Sequence, residues 1–271
     1  MKKLQAVIFD WAGTLVDFGS FAPTTIFVEA FRRGYDFDIS LAEARVPMGL
    51  GKWDHIQAVG RIPEVAERWL AQFGEPMTNK NIDDIYEVFM PLQIAKVAQH
   101  ADPIPGAPQV LNQLRDKGLK IGSCTGYPRC VIDELLPAAK ANGIAPDNVV
   151  ATDDLVAGGR PGPYMVLKNV IDLAVTDVKA CVKVDDSVPG ITEGLNASMW
   201  TVALLLSGNE AGLTQAQYEA ADEETLAQAR AKAMAAFQNS GAHYQIDTIA
   251  DLPDVLEDID RRMVAGESPS I

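Results

Sequence analysis

Short, almost wholly apolar runs alternate along this chain with longer stretches whose apolar residues recur at helical spacing. The runs at 4–9, 119–124, 149–152, 178–184 and 200–206 are strand-length and carry little alternation of polar side chains. They read as strands covered on both faces, the signature of a parallel sheet. Between and after them the pattern predicts helices at 109–117, 130–142, 163–173, 191–196 (a helical turn), 216–236 and 252–263, with an edge strand at 244–249. Strands alternating with helices predict an α/β fold with a doubly wound, mainly parallel, Rossmann-like sheet. Such sheets place their sites beyond the C-terminal ends of the strands, so the residues just after each run carry the functional information.

One stretch breaks the rhythm. Residues 24–100 have almost no strand signal but place Ile26, Phe27, Ala30 and Phe31, then Ile56 and Val59, then Ile85, Val88, Phe89 and Leu92 at helical spacing. A Pro-rich break at 102–108 ends it. This is too long for a simple crossover, so an α-helical cap domain at 18–101 is expected as an insertion into a core built from 1–17 and 102–271. The long 216–236 stretch reads as a solvated surface helix.

Charge removes several classes of function. With 23 Lys+Arg against 37 Asp+Glu, the net charge of −14 excludes a nucleic-acid or anionic-membrane binder, both of which need a basic surface. A small anionic substrate in a local positive pocket stays open. Three cysteines without a CxxC pair suit a reducing compartment. The first apolar run stops at Asp10, too short for a signal peptide or a membrane span, so a cytoplasmic location is expected.

At the strand ends stand Asp10 in VIFDWAGT, Thr125 in SCTGY, Arg160 in the rigid GGRPGP loop, and Asp185-Asp186. Each alone has an ordinary explanation: a capping Asp or Thr, a solvated Arg. Together they offer a carboxylate nucleophile, a hydroxyl and backbone N–H groups for an oxyanion, a cation, and paired carboxylates suited to a hard divalent ion. In this order, at successive strand ends, they resemble the four motifs of the haloacid dehalogenase-like superfamily. That resemblance implies an HAD-type core, an Asp10 nucleophile that forms an aspartyl-phosphate, and Mg²⁺.

Most phosphatases of that superfamily carry a general-acid Asp two residues after the nucleophile; this chain has Ala12. Alanine cannot protonate a leaving alkoxide. Halide loss and carbon–phosphorus cleavage escape that need, and an inactive phospho-ligand binder would too. Carbon leaves only if its electrons have somewhere to go, and a lysine Schiff base supplies such a sink. The cap contains Met48-Gly-Leu-Gly-Lys52-Trp-Asp-His55. A helix starting at Lys52 would put His55 on the same face. The helix N-terminus, with apolar Met48, Leu50 and Trp53, would lower the Lys52 pKa and free its amine.

DWAGT, the MGLGKxDH loop, TGY and GRP together resemble the phosphonoacetaldehyde hydrolase family, as does Glu193–Thr201 after the last motif. The resemblance implies cleavage of phosphonoacetaldehyde to acetaldehyde and phosphate, with Asp10 as nucleophile and Lys52 as imine former. It makes Asp10, the Ala12 carbonyl and Asp186 the Mg²⁺ ligands. Thr125, Gly126 and Arg160 become phosphonate binders, and Met48, His55 and Tyr127 shape or proton-tune the imine. It also implies a homodimer through the caps, which would leave Phe27, Phe31 or Trp53 partly exposed in a lone subunit. Some family members have Gly-Asp at the fourth motif with a further Asp four residues on, where this chain has Asp185-Asp186 and Gly190. A 2-haloacid dehalogenase and a catalytically dead relative are the alternatives. His100 and His243 form no zinc-like cluster, and Cys124 reads as a buried strand residue.

Overall fold

The first apolar run forms β1 (Ala6–Phe9), buried along its whole length. The chain leaves the sheet at Asp10 and first makes α1 (Phe21–Tyr35), α2 (Leu41–Arg45), α3 (Lys52–Gly60), α4 (Pro63–Phe73) and α5 (Asn79–Lys96). The strand–helix rhythm then runs α6 (Ala107–Asp116), β2 (Lys120–Thr125), α7 (Arg129–Ala141), β3 (Asn148–Ala151), α8 (Tyr164–Asp172), β4 (Cys181–Asp185), α9 (Val188–Asn196) and β5 (Trp200–Leu204). It ends with α10 (Gln215–Ala220), α11 (Glu223–Phe237), β6 (Tyr244–Ile246) and α12 (Leu252–Val264). The computed structural model describes residues 4–269. No helix among them is long and apolar enough to cross a membrane.

The six strands form one parallel sheet in the order β3-β2-β1-β4-β5-β6. The order reverses beside β1, which opens the crevice where doubly wound sheets bind ligands. Register pairs Phe9 with both Ser123 and Val184, and the Asp10 N–H continues the ladder onto the Val184 carbonyl at 3.0 Å. Asp10 therefore emerges between the ends of β2 and β4. One apolar layer, including Val7, Phe9, Ile121, Val182 and Trp200, packs beneath α6, α7 and α12; a smaller one around Ile8, Cys124 and Met165 packs beneath α8.

Several boundaries differ from the sequence reading. Residues 178–180 form a 3₁₀ turn, and β4 starts at Cys181 and ends on Asp185, which thus lies within the strand. Thr125 is likewise the last residue of β2. The 216–236 stretch is two helices, because Ala221 is extended and Asp222 starts a new helix by accepting the Thr225 N–H. The second of these buries Ala233 and Phe237, so it is not a fully solvated face.

Helices α1 to α5 have their own apolar centre, in which Phe27, Phe31, Ile56, Trp69, Ile85 and Phe89 are fully covered. Phe27 and Phe31 are therefore core residues and cannot serve a subunit contact. Trp53 is half-buried, its indole N–H donating to Asp83 at 2.7 Å on the outer side. Two chain segments join this body to the sheet. The Asp17 N–H donates to the Asp102 carbonyl, Val16 pairs with Pro103, and Asp17, Gly19 and Ser20 all have positive φ. Gly19 is required there: a Cβ would lie 2.2 Å from the Leu213 carbonyl oxygen. Phe18, Val97 and Ala101, at the junction, pack with the sheet rather than with the cap centre.

Candidate active site

A small cavity of about 20 Å³ lies where the cap meets the C-terminal edge of the sheet. It is lined by Asp10, Ala12, Thr125, Gly126, Tyr127, Arg160 and Asp186 from the core and by Pro23, Met48, Gly49 and Lys52 from the cap, with Ser20 from the junction. Of the nucleophile, imine, phosphonate and metal residues expected from the sequence, His55 alone lies behind the wall.

The core half is a dense charge array. Arg160 Nη2 donates to Asp10 Oδ1 at 2.7 Å and to the Cys124 carbonyl at 3.1 Å, while its Nε donates to Glu193 Oε2 at 3.0 Å. Lys183, fully buried, sets its Nζ 2.9 Å from Asp185 Oδ2, 3.4 Å from Glu193 Oε2 and 2.9 Å from Cys124 Sγ. Asp185 also accepts from the Ser187 N–H and hydroxyl. Burial alone would push its carboxyl up, but Arg160 and Lys183 hold it below the usual range. Burial raises the Cys124 thiol to about 12, which removes it as a nucleophile.

Asp10, Asp185 and Asp186 place carboxylate oxygens within 4.8 Å of one another. Burial raises the Asp10 carboxyl, and Asp185 adds to the effect against the opposing pull of Arg160. Asp186 is raised further, by burial first and then by the charges of Asp10 and Asp185. The loop after β1 closes on Asp186 because Gly13, at φ 80°, has no Cβ; one would lie 2.1 Å from Asp186 Oδ2. The Asn209 N–H fixes the same oxygen at 2.7 Å. Hard oxygen donors, crowded negative charge and a glycine cradle are what a divalent cation requires. The residues present fit such an ion.

The fourth-motif departure has a steric explanation. A Cβ on Gly190 would lie 2.0 Å from the Asp185 carboxyl carbon, so the carboxylate of 185 fills the space that a side chain at 190 would otherwise occupy.

From the cap, Lys52 opens α3 and is 5% exposed. Its Nζ lies 4.9 Å from the centre of the Tyr127 ring and 5.8 Å from that of Phe27. Burial lowers its pKa to about 8; Arg160 pushes the same way, and Asp10 and Asp186 oppose. The apolar neighbours are thus Phe27, Tyr127 and Met48, not Trp53, which faces Asp83. At about pH 7.5 roughly a quarter of Lys52 is free amine, against about a thousandth for an ordinary lysine.

His55 is fully buried, stacked on Phe27 with ring centres 3.8 Å apart. Its Nε2 lies 2.8 Å from the Ala44 carbonyl, which can only accept, so Nε2 carries the proton and Nδ1 is a buried acceptor with no hydrogen-bond partner among the described residues. Burial, and then the Lys52 charge, hold it neutral. The cap loop seats on the core through two more close approaches: a Cβ on Gly49 would lie 2.4 Å from Ser187 Oγ, and one on Gly126 would lie 2.8 Å from the Leu50 carbonyl oxygen. Thr125 Oγ1 accepts the Tyr127 N–H at 3.0 Å, so that N–H is engaged within the turn. Sequence reasoning missed Ser20, Lys183 and Asn209. Ser20 carries a trace in the Gly-Ser pair before α1; Lys183 and Asn209 carry none.

The sheet order, the inserted helices and the strand-end charges define a haloacid dehalogenase-like hydrolase, and the family model described as "Hydrolase: haloacid dehalogenase-like hydrolase" matches residues 4–198. The phosphonoacetaldehyde hydrolases of Vibrio parahaemolyticus and Vibrio cholerae are 70% and 66% identical to the chain over 268 residues, covering 99% of both chains in each case. The crystal structure of a phosphonoacetaldehyde hydrolase like protein from Oleispira antarctica superposes with a TM-score of 0.95 at 41% identity, covering 98% of this chain and 96% of that one. The chain belongs to the phosphonoacetaldehyde hydrolase family of the haloacid dehalogenase-like hydrolases.

Proposed function

We propose that this protein hydrolyses phosphonoacetaldehyde to acetaldehyde and phosphate through a Lys52 Schiff base and an Asp10 phosphoryl intermediate. The observation that carries the reading is Lys52, brought from the cap into the same cavity as Asp10 while position 12 holds an alanine that donates no proton. Arg160 binds the phosphonate, exchanging its bond to Asp10 for the substrate oxygens, with Thr125 and Gly126 at the same end. The free amine of Lys52 attacks the aldehyde; water leaves, and the iminium draws the electron pair of the breaking C–P bond into an enamine as an Asp10 oxygen attacks phosphorus. The enamine carbon takes up a proton and water hydrolyses the resulting imine to acetaldehyde, restoring Lys52. A second water releases phosphate from Asp10. His55, neutral with a free Nδ1, tunes proton movement at the imine from behind Phe27, and Met48 and Tyr127 keep the amine dry.

A divalent cation, which we take to be Mg²⁺, would be held by Asp10, the Ala12 carbonyl and Asp186 and would offset repulsion between the carboxylate and the anionic phosphonate. A cavity of about 20 Å³ holds little more than one water, so entry requires the cap to swing away. Residues 18–101 are accordingly proposed as the mobile cap, on a core of 1–17 and 102–271. A cytoplasmic homodimer through the caps is part of this proposal; with Phe27 and Phe31 internal, its apolar contact would use surface residues such as Leu70, which is 49% exposed. Incubation with phosphonoacetaldehyde and Mg²⁺ tests the reaction. Phosphate and acetaldehyde should appear in equal amounts, and phosphate without aldehyde would reject it.

A further inference from the structure

Arg45 ends α2 in the cap, yet its guanidinium lies against two other parts of the molecule. Nη1 donates to the Gly19 carbonyl at 2.7 Å and to Asn209 Oδ1 at 3.1 Å, with the Asn209 carbonyl at 3.3 Å. Asn209 Nδ2 answers by donating to the Arg45 carbonyl at 3.3 Å. The guanidinium carbon lies 4.6 Å from the centre of the Phe21 ring, where the junction enters α1. Cap, junction and core loop thus meet on one side chain.

The core partner is not an ordinary surface loop. Asn209, 2% exposed, gives its backbone N–H to Asp186 Oδ2. Its neighbour Gly208 packs so closely on Asp186 that a Cβ there would lie 2.4 Å from the Asp186 Cβ. Ser207 donates its hydroxyl to the Gly13 carbonyl and accepts the Gly19 N–H at 2.8 Å. The segment 207–209 therefore touches the loop of the nucleophile, the carboxylate of Asp186, the junction and the cap latch. Asn209 therefore links the Asp186 carboxylate directly to the acceptors that Arg45 uses.

We propose that Arg45 and Asn209 form a latch through which occupancy of the carboxylate site by a divalent cation favours the closed cap. This deepens the proposed function and rests on its reading of Asp186 as a metal ligand. Both are positioning residues, acting through Asp186 and the cap. Arg45 Nη2 is buried without a hydrogen-bond partner among the described residues, so opening the cap rehydrates it and the latch is releasable. A contact that differs between two states can transmit a bias between two sites; one that is equal in both cannot.

The test reads cap closure without turnover. Lys52 is covered in the closed form, whereas the Lys80 side chain is 80% exposed and serves as an internal control. Acetylation of both lysines would be followed by mass spectrometry at about pH 9, where the covered Lys52 amine, with its pKa of about 8, is mostly free, so that slow labelling reports coverage rather than protonation. Mg²⁺ should slow Lys52 labelling relative to Lys80 by about tenfold in the natural protein. In Arg45→Met and Asn209→Ala the protection should fall to about twofold or less, although Mn²⁺ binding followed by electron paramagnetic resonance shows the ion still bound. Arg45→Lys, which keeps one donor, should recover part of it. Unchanged protection in both variants overturns the latch, as does a natural protein that binds Mn²⁺ yet leaves Lys52 equally reactive. Absence of Mn²⁺ binding to the natural protein would instead overturn the metal reading, and the latch with it.

Discussion

The Lys52 ammonium nitrogen from the cap sits 4.9 Å from the centre of the Tyr127 ring from the core. A ring face favours the charged amine by about 0.5–2 kcal/mol. Burial works in the opposite direction, and the net pKa is about 8. The fall from 10.5 corresponds to roughly 3 kcal/mol between the two protonation states, enough to leave burial in control. The cap thus delivers a partly neutral amine to a cavity otherwise crowded with charge.

A pH dependence follows from that value. Imine formation needs the free amine, so kcat/KM should fall about tenfold per pH unit below about pH 8. Asp10 raises the Lys52 pKa, so Asp10→Asn should move it further down. Since that variant cannot turn over, the shift would be read from borohydride trapping of acetaldehyde on Lys52 across pH. An upward shift, or an acid limb near the ordinary lysine value, would contradict burial and the Asp10 charge as the opposing influences on this amine.

Metal dependence is expected to be complete. EDTA should abolish phosphate release and Mg²⁺ should restore it. Asp186→Asn keeps an oxygen for the Asn209 N–H while losing the negative charge, and should cost about 10³ in kcat/KM. Because burial and the charges of Asp10 and Asp185 raise the Asp186 carboxyl in the metal-free protein, its ionised form opposes folding at neutral pH. The metal-free variant should therefore melt no lower than its parent, which separates a ligand role from a structural one. A large loss of thermal stability without metal would count against it.

Much of this was legible in the sequence. Apolar runs too short for helices and too uniform for one-sided strands marked the parallel sheet, and each catalytic candidate of the core stood at the end of a strand or in the loop beyond it. Lys52 was readable from a departure, Ala12, combined with the glycine-rich loop before α3. The misreadings have local causes. Trp53 adjoins Lys52 in sequence, but a helix turns consecutive side chains about 100° apart, and its indole found Asp83 instead. Phe27 and Phe31 read equally well as surface or core, because periodicity identifies an apolar face without naming what covers it. Asn209 was invisible because its contribution to Asp186 is a backbone N–H, which every residue but proline carries.

Position 190 offers a paired test of the steric reading. Gly190→Asp would drive its Cβ into the Asp185 carboxyl group and should lower activity at least about 100-fold. Asp185→Gly leaves Lys183 and Arg160 short of a buried counter-charge and should also be impaired. Combined, the two changes move a carboxylate from strand to helix within one space, and activity should return to within about tenfold of the parent. A double variant no better than the worse single one would show that the two positions are not interchangeable.

The strongest discrimination from an ordinary phosphatase lies at Lys52 itself. A purely electrostatic lysine would tolerate arginine with a modest loss, since the charge remains. An imine-forming lysine would not, because the guanidinium stays protonated and cannot add to an aldehyde. Lys52→Arg should therefore lose about 10³-fold or more in kcat while remaining folded and able to bind Mg²⁺. Borohydride with acetaldehyde should inactivate the natural protein irreversibly and add an ethyl group to the peptide carrying Lys52, with no such label in the variant. At about pH 8 Lys52 is about half free amine, so the label should fall selectively on its peptide. If Lys52→Arg keeps most of its turnover and borohydride labels no lysine selectively, the Schiff-base mechanism fails for this protein, whatever the fate of the metal site.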